Sequence, residues 1–113
     1  MLPNYQKMFL PILQYLNDQQ LHSLADIREH IVHVFAITPE EQSQRTANGY
    51  HKTLNYRLNW ANTYLKKAGL ITSPAHARYQ ISAEGKAWLA ASPAEISNRL
   101  LLSKQSFREF LNK

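Results

Sequence analysis

The apolar positions of the chain repeat first at helical spacing and, near its middle, switch briefly to alternation. Tyr5, Phe9, Ile12, Leu13 and Leu16 predict a first helix over residues 3–17 with one apolar face. Pro11 falls inside it and lacks a backbone donor, so a kink or a split is expected there. The polar run Asn17-Asp18-Gln19-Gln20 ends the helix. Ser23 suits the cap of a second helix, with Asp26 at the capping-box position and Leu24, Ile27, Ile31, Val34 and Phe35 as its buried stripe. Thr38-Pro39-Glu40-Glu41 is a further helix start, with proline at the first helical position and glutamate at the third. Asn48-Gly49 signals a turn.

A third major helix is expected from about Tyr50 to Ala68, stopped by Gly69. Leu54, Leu58, Ala61, Leu65 and Ala68 give it a narrow apolar stripe. At about 100° per residue the opposite side presents Lys52, Asn59, Thr63 and Lys66, with Asn55 and Tyr56 beside them. Leu70-Ile71-Thr72 then reads as a short strand, Ser73–Ala77 as a turn and Arg78–Ile81 as an alternating strand. Ser82 caps another helix through Leu89, and Pro93 breaks it. Ser92-Pro93 followed by Glu95 opens a last helical stretch, in which Ile96, Leu100, Phe107, Phe110 and Leu111 are available for packing. Helices followed by a small hairpin predict a mainly α fold, a winged helix-turn-helix with an extra C-terminal helical segment. The expected division is a winged-helix domain over residues 1–92 and a helical extension or linker over 93–113.

Composition narrows the function classes. A length of 113 residues allows one domain, and the absence of cysteine excludes disulfides, thiolate metal sites and cysteine catalysis. No apolar run approaches the roughly 18 residues of a membrane span, so the expectation is a cytoplasmic protein without a membrane partner. The net charge of +5 favours a polyanionic partner. Its distribution is more informative than its sum. Residues 1–41 net −3, residues 84–113 net +2, and no acidic residue lies between Glu41 and Glu84. That middle stretch carries Arg45, Lys52, Arg57, Lys66, Lys67 and Arg78, a segmental footprint of the kind that nucleic-acid binding requires.

The outer face of the third helix is therefore the leading candidate site. A helix in the major groove needs amides and basic groups aimed at base edges, asparagine suiting adenine and lysine or arginine suiting guanine. Asn55 and Asn59 are the base-reading candidates, with Lys52 and Tyr56 next to them. Lys66 and Lys67 stand near the helix C-terminus, where they also complement its dipole. His76 and Arg78 lie on the wing, which commonly touches phosphate or the minor groove. Arg57 borders the apolar stripe, so a structural contact is at least as well supported as DNA binding. Trp60, Tyr64 and Trp88 are expected in the core. His30 and His33 share a helix face but lack further ligands, and with only three glycines no phosphate-cradling loop exists. No catalytic set, metal or cofactor is expected in this chain.

The run Arg57-x-x-Trp60-Ala61-x-x-Tyr64-Leu65-Lys66-Lys67-Ala68-Gly69-Leu70-Ile71 resembles the signature of the N-terminal domain of Mrr-type restriction proteins. Tyr79-x-Ile81-Ser82-x-x-Gly85 is similar to the strand-to-helix step that closes that family's wing, and Tyr5 with Pro11-Ile12-Leu13-x-x-Leu16 to its opening. The resemblance covers roughly residues 2–93. Two positions depart from it: Tyr56 stands where relatives tend to have asparagine, and His76-Ala77 where they tend to have glycine. The resemblance implies a DNA-recognition domain attached to a PD-(D/E)xK nuclease domain acting on DNA with methylated bases. The implied partner is double-stranded DNA, methylated or not. The alternative is a protein-interaction module in which residues 94–113 hold a partner or a second copy of the chain.

Overall fold

The first helix begins where Asn4 accepts a hydrogen bond from the Lys7 backbone N–H at 3.0 Å, satisfying one of the free donors of a helix N-terminus. In the computed structural model, which describes residues 2–91 and 96–112, this helix α1 spans Tyr5–Leu16. It is followed by β1 (His22–Ser23), α2 (Leu24–Val34), α3 (Pro39–Ser43) and α4 (Thr53–Lys67). Then come β2 (Ile71–Ala75), β3 (Arg78–Ile81), α5 (Ala83–Ala90), α6 (Asn98–Leu101) and α7 (Gln105–Leu111). The helix start expected at Ser92-Pro93-Ala94-Glu95 and the domain boundary beside it lie outside the described residues.

The capping box expected at Ser23 forms, and the helix start expected at Thr38 opens on a second one. Ser23 Oγ accepts from the Asp26 N–H while the Asp26 carboxylate accepts from the Ser23 N–H, and Thr38 and Glu41 do the same for α3. Pro11 does not split α1, which runs through it unbroken. Pro11 lies off the buried face, and the carbonyl it leaves without a donor belongs to exposed Lys7, within reach of water. On α2 the expected stripe is corrected at its end: Val34 is exposed, and Val32 packs against the core instead.

The expected hairpin is part of a three-stranded antiparallel sheet in the order β1-β3-β2. Ile71 pairs with Ile81, and His22 with Tyr79. β1 was not foreseen, because two residues are too few to show alternation. A small strand between the first two helices that joins the hairpin completes the winged-helix order. The turn is also tighter than expected. β2 continues to Ala75, leaving His76 and Ala77 at the tip, and Ala77 adopts φ 54°, the left-handed region that favours glycine.

One core gathers the whole chain. Phe9, Ile12 and Leu13 of α1, Ile27 and Ile31 of α2, and Leu54, Leu58 and Leu65 of α4 are fully or almost fully buried. Gly85 brings α5 against the start of β2 so closely that a Cβ there would sit 2.2 Å from the Leu70 carbonyl oxygen. The C-terminal helices join the same core through Ile96, Leu101 and Phe107, while Leu100 and Leu111 stay exposed. Phe107 meets Tyr64 of α4 edge-on at 5.2 Å, and the Asn98 N–H donates to Gln6 Oε1 of α1 at 3.0 Å. Among the described residues no helix is long and apolar enough to cross a membrane.

Candidate nucleic-acid interface

Helix α4 starts later than its sequence predicts. Tyr50 and His51 belong to the preceding turn, and Lys52 is the N-cap residue, in extended conformation with no side-chain cap bond. An uncapped N-terminus leaves backbone N–H groups pointing along the axis with the positive end of the dipole, a setting that suits an anion. From Thr53 onward the expected stripe is buried as a unit: Leu54, Leu58, Ala61, Leu65 and then Ala68. Asn62 joins it, 2% exposed, with neither side-chain polar atom hydrogen-bonded.

The sequence-predicted site residues fall in three places. Lys52, Asn55, Tyr56 and Asn59 cluster on the exposed N-terminal half of α4. Lys66 and Lys67 lie on its last turn, where Lys67 Nζ stands 5.5 Å from the centre of the Phe110 ring. His76 and Arg78 are exposed on the wing. Ser73 braces that wing, its hydroxyl lying 3.0 Å from the Ala75 carbonyl and 2.9 Å from that of Arg78. Arg57 is structural: Nη1 donates to the carbonyls of Leu2 and Pro3, at 3.2 and 3.1 Å, and so pins the chain ahead of α1.

Arg28 is a site neighbour that the sequence did not single out. From α2, its Nε donates to Asn55 Oδ1 at 2.8 Å. That bond fixes the amide of Asn55 and reserves its NH2 for donation. The two residues edge a depression of about 270 Å³ shared with Leu24, Leu58 and Asn59. No local pattern could have marked Arg28, whose partner is 27 positions away. Trp60 was expected in the core and is half-exposed instead, since a residue two positions from Leu58 points off the buried stripe. Tyr64 and Trp88 are partly buried against the core, and His30 stacks on Tyr15 at 4.5 Å.

Electrostatically the interface and its surroundings differ. Lys104 is paired with Glu84 at 2.9 Å, and that hydrogen bond together with the ammonium charge holds the Glu84 carboxyl below the usual carboxylate range. Lys86 donates to Gln19 Oε1 at 3.1 Å. Among the described residues, no ion pair involves Arg45, Lys52, Lys66, Lys67 or Arg78. The acid-free stretch of the sequence thus remains an unneutralised surface once folded.

Comparison with known proteins places this domain. The chain is 26% identical over 98 residues to the type IV methyl-directed restriction enzyme EcoKMrr of Escherichia coli strain K12. That match takes in 86% of this chain and 32% of the relative, so the chain spans about a third of that protein's length. No solved structure matches it. The model of the Mrr N-terminal domain family matches residues 5–91, from the first residue of α1 to just past α5. The chain belongs to the Mrr N-terminal domain family.

Proposed function

We propose that this chain is the DNA-recognition module of a modification-dependent restriction protein. In this reading α4 enters the major groove by its N-terminal half, and the wing touches the adjacent backbone. The observation that carries it is the unneutralised basic surface: cations from Arg45 to Arg78 gather on α4, the turn before it and the wing, with no acidic partner among the described residues. Such a surface gains free energy by displacing counterions from phosphate. Asn55 and Asn59 read base edges beside it, with Arg28 orienting the first. Phosphodiester cleavage resides in another part of the longer protein, as a methyl-directed relative three times the chain's length suggests.

The test compares binding to matched duplexes that are unmodified, carry 5-methylcytosine or carry N6-methyladenine. Preference for one of them is expected. Asn55→Ala or Asn59→Ala should reduce the discrimination by about 1–3 kcal/mol. An unchanged preference in both variants removes these residues from base reading, and no affinity for any duplex at low salt overturns the proposal.

A second reading, self-association through residues 94–113, draws on the exposed Leu100, Leu102 and Leu111. Its stronger apolar groups, Ile96, Leu101 and Phe107, are already buried in the chain's own core. Concentration-independent sedimentation as a monomer would dismiss it.

A further inference from the structure

On the flank of α4 turned away from Arg28, Tyr56, Trp60 and Tyr64 form one wall of an open cleft of about 650 Å³. Tyr5 and residues 44–47 close its other sides, and Arg45 and Arg57 line it without any carboxylate. Core packing accounts for Tyr64 but not for the other two rings, since Tyr56 is 42% and Trp60 41% exposed. They are ordered nonetheless: His51 stacks on Tyr56 at 5.3 Å, and Tyr56 meets Trp60 edge-on at 6.3 Å. Just ahead of α4, Tyr50 is 80% exposed on a braced turn. There Gly49 takes φ 76°, the Thr46 N–H donates to the His51 carbonyl at 2.9 Å, and Asn48 Oδ1 accepts from the Tyr50 N–H at 3.0 Å. The braced turn thus holds a large ring out in water, next in sequence to the His51 that stacks on Tyr56 of the cleft wall. Apart from Tyr5, all of these residues lie on the acid-free basic stretch.

We propose that the cleft receives a single base turned out of the duplex, and that Tyr50 enters the base stack in its place. The proposal rests on the DNA-binding reading above. A base offers a flat π face that stacks on aromatic rings, and arginine supplies donors to its edge acceptors. Insertion of an apolar side chain between base steps is a recurrent means of unstacking them. The position also fits. The cleft adjoins the N-terminal half of α4, and Tyr56 stands between it and the amides of Asn55 and Asn59. A protein segment could be held by the same rings, but it would give Tyr50 no role.

Binding is measured to duplexes with one central cytosine, 5-methylcytosine, adenine or N6-methyladenine, each either paired normally or placed opposite an abasic site. Removing the pairing partner lowers the cost of extrusion, so at least one base is expected to bind about tenfold or more tightly opposite the abasic site. Trp60→Ala and, separately, Tyr50→Ala should remove that gain while leaving the salt dependence unchanged. Tyr50 is exposed enough to be replaced without loss of fold, and circular dichroism checks the Trp60 variant. Equal affinity for paired and unpaired forms of all four bases overturns extrusion while leaving DNA binding standing, and is the result expected if the cleft seats a protein segment. A gain that survives both substitutions overturns the roles given to the cleft and to Tyr50. No binding to any duplex overturns this proposal together with the reading beneath it.

Discussion

Helices α1 and α4 pack against each other, yet they are built for opposite ends. In α1 the buried face is broad and wholly apolar, with Met8, Phe9, Ile12, Leu13 and Leu16 fully enclosed, and Lys7 is its only charged residue. In α4 the buried stripe is narrow and includes the uncompensated Asn62, while the rest of the circumference is amide, hydroxyl, aromatic or basic. The first pattern favours stability. The second gives up stability to keep functional groups in water, which is the usual trade where a surface must bind. The division of labour also follows charge, since the segment through α3 is net acidic and α4 with the wing is positive.

That contrast can be broken by substitution. Leu13→Ala leaves a cavity where α1 is fully enclosed and should lower unfolding free energy by about 2–5 kcal/mol in denaturant titration. Duplex affinity per folded molecule should not change; a loss of affinity without a loss of stability would give α1 a binding role. Asn62→Leu replaces a buried amide without partners by a side chain of similar shape. It should raise stability by about 1–3 kcal/mol, again with duplex affinity unchanged. A destabilised variant would mean that Asn62 has a polar partner in solution.

The smallest effect concerns pH. Burial, and then the charge of His33, holds the His30 imidazole below its usual range. An unfolded histidine takes up its proton near about pH 6.5, while folded His30 does so only at lower pH. Between those two values the unfolded chain binds more protons, so stability falls as pH drops through that window and levels off below it. His30→Phe keeps a ring against Tyr15 and should flatten this part of the profile. An identical profile in the variant would assign the dependence to another group.

Local signals in the sequence located the helix caps and the α4 stripe, although α4 begins at Thr53 rather than at about Tyr50 and the last helical stretch is two helices, α6 and α7. Ser23 with Asp26 and Thr38 with Glu41 cap where their spacing says they must, and the α4 stripe is buried residue for residue. Features that depend on distant partners were not legible. β1 exists because β3 supplies its hydrogen bonds, and Arg28 matters through Asn55. The tail is a middle case. Its apolar residues were visible, but their burial against α1 and α4 within the same core was not. Gly85 is a marker whose reason needed three dimensions: its spacing from Ile81 could be seen, whereas the Leu70 carbonyl that forbids a side chain could not.

The claim that the unneutralised cations of α4 and the wing bind phosphate is tested most directly by the salt dependence of duplex affinity. The logarithm of the binding constant should fall linearly with the logarithm of salt concentration, by about 0.9 for each phosphate contact. Lys52→Ala and Arg78→Ala should each reduce the slope by about that amount, whereas Lys104→Ala, which removes the partner of Glu84, should leave it unchanged. A slope indifferent to Lys52 and Arg78, or one that falls with Lys104, would contradict the account.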